Sequence, residues 1–267
     1  MKIAFIGGGK MAAALIAGLA KSVKVIVSDV DPKRLRLLKS KYKIKAAKSN
    51  AEAFAAADIV VLAVKPQQMA EVLQGVGDSG IGSRGKKHVI SIAAGIPISY
   101  LQKKLPGAMI IRTMPNNPAL VGQGITAIAK GIRVTRFALR VTKRIFSSVG
   151  EVVEVPEKWL DAVTGLSGSG PAYVYKFIEA LTTAGVKVGL PRKLAARLAQ
   201  QTVLGAAVTV KQSRQDPAQL RAMVTSPGGT TLAGLAALER RAFSRAVGAA
   251  VAAAAKRAKV LNKQWAV

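Results

Sequence analysis

Two short stretches of this sequence combine residue types and spacing that could do chemistry. The first is Gly7-Gly8-Gly9-Lys10-Met11-Ala12, which fits the pattern G-x-G-x-x-A. Glycines let a backbone close on a pyrophosphate, and the N-terminus of a following helix turns free N–H groups toward it. Without a preceding strand and a following helix, the same run is a plain glycine turn. The second is Val224-Thr225-Ser226-Pro227-Gly228-Gly229-Thr230-Thr231, polar and glycine-rich, running into the apolar helical pattern of 232–238. A Gly-Gly pair entering a helix exposes N–H groups, and with neighbouring hydroxyls it suits a carboxylate. An anion placed there gains about 0.3 to 1 kcal/mol. An ordinary helix-capping turn is the alternative reading of that stretch.

The elements that must position the first motif are present in the pattern. Apolar, β-branched runs at 3–6, 23–27, 59–64, 89–92 and 109–114 alternate with helical patterns at 11–21, 32–41 and 51–57. Strands this continuously apolar belong inside a parallel sheet covered by helices on both faces. Such a sheet binds ligands beyond the carboxyl ends of its strands. Three loops are expected to line that crevice: Ala63-Val64-Lys65-Pro66, Ile92-Ala93-Ala94-Gly95 and Met114-Pro115-Asn116-Asn117-Pro118. The second strand ends in Ser28-Asp29, near the expected ribose. Asp29 could accept hydrogen bonds from a ribose diol, favouring NADH; Ser28 with Lys33 or Arg34 could hold a 2′-phosphate, favouring NADPH. The residues leave that choice open.

After the strand-like Val152-Val153-Glu154-Val155, helices separated by Gly and Pro take over, one from near Pro171 to about Val188 and another from near Pro191 to about Ser213. Between residues 172 and 188 the only charges are Lys176, Glu179 and Lys187. A single small core could hardly cover so wide an apolar face, so an interface with a second copy across a two-fold axis is expected.

Composition removes other chemistries. There is no cysteine, which excludes disulfides, thiolate nucleophiles and cysteine-bound zinc. The one histidine, His88, opens an apolar run and has no partner motif, so a structural or exposed role is expected. The 41 Lys and Arg against 13 Asp and Glu give a net charge of +28, which favours anionic partners or nonspecific nucleic-acid contact. The basic residues are spread along the chain like solvated helix faces, and aromatics are only 4% of it. With no leader-like opening and no apolar stretch long enough to span a bilayer, a cytoplasmic protein without membrane contact is expected.

Four segments together resemble the pyrroline-5-carboxylate reductase family over nearly the whole length: Ala63-Val64-Lys65-Pro66; Met114-Pro115-Asn116-Asn117-Pro118; Gly165-Leu166-Ser167-Gly168-Ser169-Gly170-Pro171-Ala172-Tyr173; and, most specific, Ser226-Pro227-Gly228-Gly229-Thr230-Thr231. The resemblance implies an α/β protein with an N-terminal Rossmann domain, residues 1–156, and an all-α dimerisation and substrate domain, residues 157–267. It also implies NADPH or NADH as cofactor, reduction of 1-pyrroline-5-carboxylate to L-proline, and a homodimer that in many members builds a ring of dimers. By position, Ile6, Gly7, Gly8, Gly9, Lys10, Met11, Ser28, Asn50, Ala63, Val64, Lys65, Pro66, Ala93 and Ala94 would hold the cofactor, and the strand-end reading adds Asp29, Met114 and Asn116. Ser226, Gly228, Gly229, Thr230 and Thr231 would hold the substrate, with Thr231 and Lys65 the catalytic candidates. The chain departs from the family at Asn117, where Thr is usual, and at Arg221-Ala222, where Lys-Asp is common.

Two other readings compete. A β-hydroxyacid dehydrogenase would share the glycine-rich start and a Gly-x-Gly segment before a catalytic lysine, which Gly168-Ser169-Gly170 and Lys176 imitate. It would also need Asn one turn later, where Ala180 stands. A basic nucleic-acid-binding or anion-binding protein on a reductase fold is the other.

Overall fold

The glycine motif gains its meaning from the strands around it. In this structure, a computed structural model that describes residues 1–20, 22–77 and 87–265, one sheet takes the order β3-β2-β1-β4-β5-β6-β7-β8. Its strands are β1 (Lys2–Ile6), β2 (Lys24–Ser28), β3 (Lys45–Ala46), β4 (Ile59–Leu62), β5 (His88–Ser91), β6 (Met109–Met114), β7 (Gly124–Lys130) and β8 (Gly150–Glu154). The first six run parallel, in the order of dinucleotide-binding sheets, β7 is antiparallel to β6, and β8 is parallel to β7. The expected mostly parallel α/β fold is therefore the fold observed.

Helices α1 (Lys10–Leu19), α2 (Pro32–Tyr42), α3 (Asn50–Ala56), α4 (Met69–Gly77), α5 (Ile98–Lys104) and α6 (Arg136–Ser147) cover the sheet. Because strand side chains alternate faces, β1 sends Ala4 and Ile6 into one core with Phe54, Leu73 and Leu101. It sends Ile3 and Phe5 into a second core with Leu15, Ile16 and Phe146. Phe5, Phe54 and Phe146 are fully buried, and each contributes about 1.5 to 3 kcal/mol by leaving water. The expected helix over 11–21 starts one residue earlier and ends at Leu19; residue 21 lies outside the described residues.

Beyond the sheet come α7 (Leu160–Val163), a π-helical turn (Thr164–Gly168), α8 (Gly170–Lys187), α9 (Arg192–Ser213), α10 (Pro217–Met223), α11 (Thr230–Arg240) and α12 (Phe243–Lys263). The chain packs as two units, Met1–Ser169 with Ala252–Val267, and Gly170–Val251, so α12 contributes to both. Within the second unit α8 and α9 lie close, and a Cβ built on Gly185 would stand 3.0 Å from the Ala195 Cβ. That pair is nearly all this unit buries: Thr182 in α8, Ala195 and Ala199 in α9, and nothing in α10 or α11. Val174, Tyr175, Leu198, Leu204 and Leu232 stay exposed, which is the uncovered apolar face that the sequence leads one to expect.

His88 is 4% exposed at the start of β5, with Nε2 3.0 Å from the Thr142 hydroxyl oxygen. That hydroxyl donates to the Ala138 carbonyl, which leaves its oxygen to accept from a neutral Nε2–H. Burial pushes the imidazole down to about 4, and the role is structural. No described helix is long and apolar enough to cross a membrane, and the described residues contain no group of three or more His, Cys, Asp or Glu suited to a metal ion.

Candidate functional site

Strand register brings the glycine motif, the Ser28-Asp29 end and the Ala63 loop together. Ile6 pairs with Ser28 on one side and with Leu62 on the other. The residues that follow, Gly7, Asp29 and Ala63, therefore emerge side by side at the carboxyl edge. The Gly7 N–H donates to the Ser28 carbonyl at 2.7 Å, and the Ala63 N–H donates to the Ile6 carbonyl at 2.8 Å. Gly7 has φ +95°, and a Cβ there would stand 2.7 Å from the Ala63 carbonyl oxygen. Only glycine meets both conditions.

Gly9 is the opposite case. A Cβ on it would meet nothing within 4 Å, because it faces open space over the start of α1. It caps that helix with no side-chain bond, so the first N–H groups of Lys10, Met11 and Ala12 have no side-chain acceptor from the cap. Open space above uncommitted helix-end donors fits a dinucleotide pyrophosphate.

A cavity of about 480 Å³ lies against these strand ends. Gly7, Gly9, Ser28, Asp29, Asn50, Ala63, Val64 and Lys65 all line it. Arg34, Ser49, Gln68 and Glu71 complete its polar wall, with Val30 and Val72 among its apolar part. Pro66 opens the helical turn below Lys65 without lining the cavity, and Ile6 is fully buried behind it. Gln68, Glu71 and Val72 were not expected. They arrive because Pro66 starts a turn that runs directly into α4, a helix whose apolar spacing at 69, 72, 73 and 76 was the available signal.

Asp29 is the electrostatic centre of the cavity. Burial alone would raise its carboxyl, but the N–H groups of Asp31 and Gly8 together with the Arg34 guanidinium outweigh it and hold the group below the usual carboxylate range. The bonds measure 2.8 Å from the Asp31 N–H, 2.6 Å from the Gly8 N–H, and 2.8 and 3.1 Å from Arg34 Nη1. The Ser28 hydroxyl donates to Asn50 Oδ1 at 2.7 Å, which fixes the Asn50 amide on the cavity wall.

Other expected site residues sit apart from this wall. Ala93 follows β5 and is buried, its N–H 3.3 Å from the Ser91 hydroxyl oxygen, and Ala94 comes next. The Met114 side chain packs against Gly168. Asn116 spends its amide on the backbone: it donates to the Ser167 carbonyl at 3.2 Å and accepts the Ile125 N–H at 2.9 Å. Neither Ala93, Ala94, Met114 nor Asn116 lines the cavity. A buried ion cluster that the sequence did not suggest centres on β6. Arg112, 2% exposed, meets Glu157 at 3.1 Å and Asp161 at 3.6 Å.

Ser226 to Thr231 belong to the second unit. Gly228 turns the chain with φ +71°, the Gly229 N–H donates to the Ser226 carbonyl at 3.0 Å, and Gly229 caps α11 with no side-chain bond. Ser226, Thr230 and Thr231 are exposed, and the Ser226 hydroxyl oxygen lies against Gly229 at the start of α11. Lys176, the imitator of a dehydrogenase lysine, is an exposed helix residue 3.4 Å from Glu179.

Residues 157–261 match the family model described as pyrroline-5-carboxylate reductase dimerisation, and residues 2–95 match the model described as NADP oxidoreductase coenzyme F420-dependent. The pyrroline-5-carboxylate reductase of Synechocystis sp. is 45% identical, over 99% of this chain and 99% of its own. That of Pisum sativum is 40% identical, over 97% and 96%. The crystal structure of the Plasmodium falciparum pyrroline carboxylate reductase with NADP bound superposes with a TM-score of 0.87 at 36% identity, covering 98% of both chains.

Proposed function

This chain belongs to the pyrroline-5-carboxylate reductase family, and from that premise we propose that it reduces the C=N bond of 1-pyrroline-5-carboxylate to give L-proline. It is an NAD(P)H-dependent oxidoreductase of proline biosynthesis. The observation that carries the reading is the carboxyl edge of the sheet, where Gly7, Asp29 and Ala63 line a cavity together with Gly9, the cap of α1.

When bound, NAD(P)H supplies the hydride. The chain has only to hold and orient the partners, which is how proximity lowers a barrier of this kind. Gly7, Gly8, Gly9, Lys10 and Met11 take the pyrophosphate, the Ser28-Asp29 end of β2 and Asn50 form the corner that receives the adenosine ribose, and the Ala63 to Pro66 loop, with Ala93 and Ala94, takes the remainder. Met114 and Asn116 follow on the neighbouring strand end and reach the same cofactor, and Lys65, which lines the cavity, is a second catalytic candidate. Ser226, Gly228, Gly229 and Thr230 grip the substrate carboxylate, while the Thr231 hydroxyl contacts the ring nitrogen. If the imine arrives protonated, no dedicated acid is required.

The functional division falls between residues 156 and 157, ahead of the packing boundary at Ser169. The exposed apolar faces of α8, α9 and α11 pair with those of a second copy, which the dimerisation model over residues 157–261 supports. Assembly of dimers into a ring, loose contact of the basic surface with anions or nucleic acid, and a cytoplasmic location extend this reading.

The test is consumption of reduced nucleotide on mixing the chain with 1-pyrroline-5-carboxylate, run beside several 3-hydroxy acids with oxidised nucleotide. Turnover with the imine alone is expected. Turnover with a hydroxy acid alone would overturn the assignment.

A further inference from the structure

The corner of the cavity beyond Ser28 contains more donors than a ribose diol can use. The Asp29 carboxylate has about four lone-pair sites, and four hydrogen bonds already reach it: the Asp31 N–H and Arg34 Nη1 on Oδ1, the Gly8 N–H and Arg34 Nη1 on Oδ2. Its side chain is 3% exposed, whereas that of Arg34 is 43% exposed and lies over it on the cavity wall. A diol seeking an acceptor would have to displace the guanidinium. Arg34 itself keeps donors in reserve, since its Nη2 stands 3.7 Å from Asp31 and only Nη1 is within hydrogen-bonding distance of Asp29. Asn50 lines the same cavity and keeps its amide N–H groups as further donors, because the amide oxygen is the atom that accepts from Ser28. A planar cation with spare N–H groups in a cavity that amide and hydroxyl side chains also line matches a phosphate.

We propose that Arg34 is the residue that selects the dinucleotide, taking the 2′-phosphate of NADPH, and that Asp29 is a positioning residue for Arg34 rather than the acceptor of the ribose diol. The inference rests on the reading of the cavity as a dinucleotide site. It also assigns Asp29 a different task from the one its place at the end of β2 suggests in a sequence, and gives the chain an NADPH preference although an acidic residue stands where NADH enzymes have theirs.

Isothermal titration of the full chain with NADPH and with NADH, without substrate, tests this for the unsubstituted protein, Arg34→Ala and Arg34→Lys. The unsubstituted chain should bind NADPH at least about tenfold more tightly than NADH, since a charge-assisted contact corresponds to roughly 10- to 100-fold in affinity. Arg34→Ala should weaken NADPH by that factor and leave NADH within about threefold, and Arg34→Lys, which keeps the charge without the fork, should fall between them. Equal weakening of both nucleotides in Arg34→Ala would show that Arg34 only shapes the loop and would overturn the proposal. Tighter binding of NADH by the unsubstituted chain would overturn it as well. If the unsubstituted chain binds neither nucleotide, the dinucleotide reading fails together with the proposal; selectivity failing while binding persists sinks the proposal alone.

Discussion

Gly8 and Asp29 are 21 residues apart in the chain and joined by a 2.6 Å bond from a backbone N–H to a carboxylate oxygen. The bond ties the glycine turn to the end of β2, and it is strongest with Asp29 ionised. Asp29→Ala should lower stability by about 1 to 3 kcal/mol, the range for a buried charged acceptor removed from its donors. Because the folded carboxyl is held below its unfolded value, this contribution is present above the unfolded pKa and is lost as pH falls through the folded one. Urea titrations of both proteins at pH 7 and at pH 3 should show the gap between them narrowing at the lower pH.

Gly7→Ala places a methyl group 2.7 Å from the Ala63 carbonyl oxygen at a φ of +95°. Strain of this kind amounts to about 1 to 3 kcal/mol, and relieving it would move the pyrophosphate turn. Thermal unfolding should drop by several degrees, and dinucleotide titration should show weaker binding of NADPH and NADH alike. Wild-type affinity in this variant would contradict the placement of the turn.

Thr231→Ala should reduce turnover by roughly 10- to 100-fold, the effect of one hydrogen bond to a charged group, while nucleotide affinity stays within about twofold. Steady-state rates and equilibrium titration on the same preparation separate the two. Equal losses in both would contradict a contact with the substrate ring.

His88 links acidity to stability in a predictable direction. The folded imidazole titrates near 4 and the unfolded one near the ordinary 6.5, so in between only the unfolded chain takes up the proton. Stability is therefore complete above about pH 7 and falls as pH drops, by up to about 3 kcal/mol at pH 4. In His88→Gln that part of the slope should vanish, and comparing denaturant midpoints of the two proteins from pH 7 to pH 4 isolates it from the carboxylates that both share. Parallel curves would show that His88 is not held neutral.

Much of this was legible in the residues. Continuous apolar runs such as Ile59-Val60-Val61-Leu62 announce a sheet buried on both faces, and the glycine motif between a strand and a helix places the turn. Other features depend on partners far away in sequence. Residues 124–130 mix glycine, alanine, threonine and lysine with two isoleucines, and their place as β7 between β6 and β8 is a matter of pairing with distant segments. Arg112 reads as a surface cation in a strand until Glu157 and Asp161, brought close by folding, let it be buried. Asn116 sits in a segment that suggests ligand binding, yet its amide is consumed by Ser167 and Ile125, which local spacing does not reveal. Asp29 is the subtler case: its position suggests a ribose acceptor, and only the Arg34 geometry shows where its lone pairs go.

The division of α12 between the two packing units has a consequence for biosynthesis. The sheet-bearing unit is discontinuous in the chain: Asn262 reaches Asp161 at 3.3 Å, and the Trp265 ring meets Tyr100 edge-on with centroids 4.9 Å apart. A nascent chain that has emerged only as far as residue 251 has every strand but lacks these clasps. The nucleotide-binding half therefore gains these last contacts only after the whole intervening helical segment has been made.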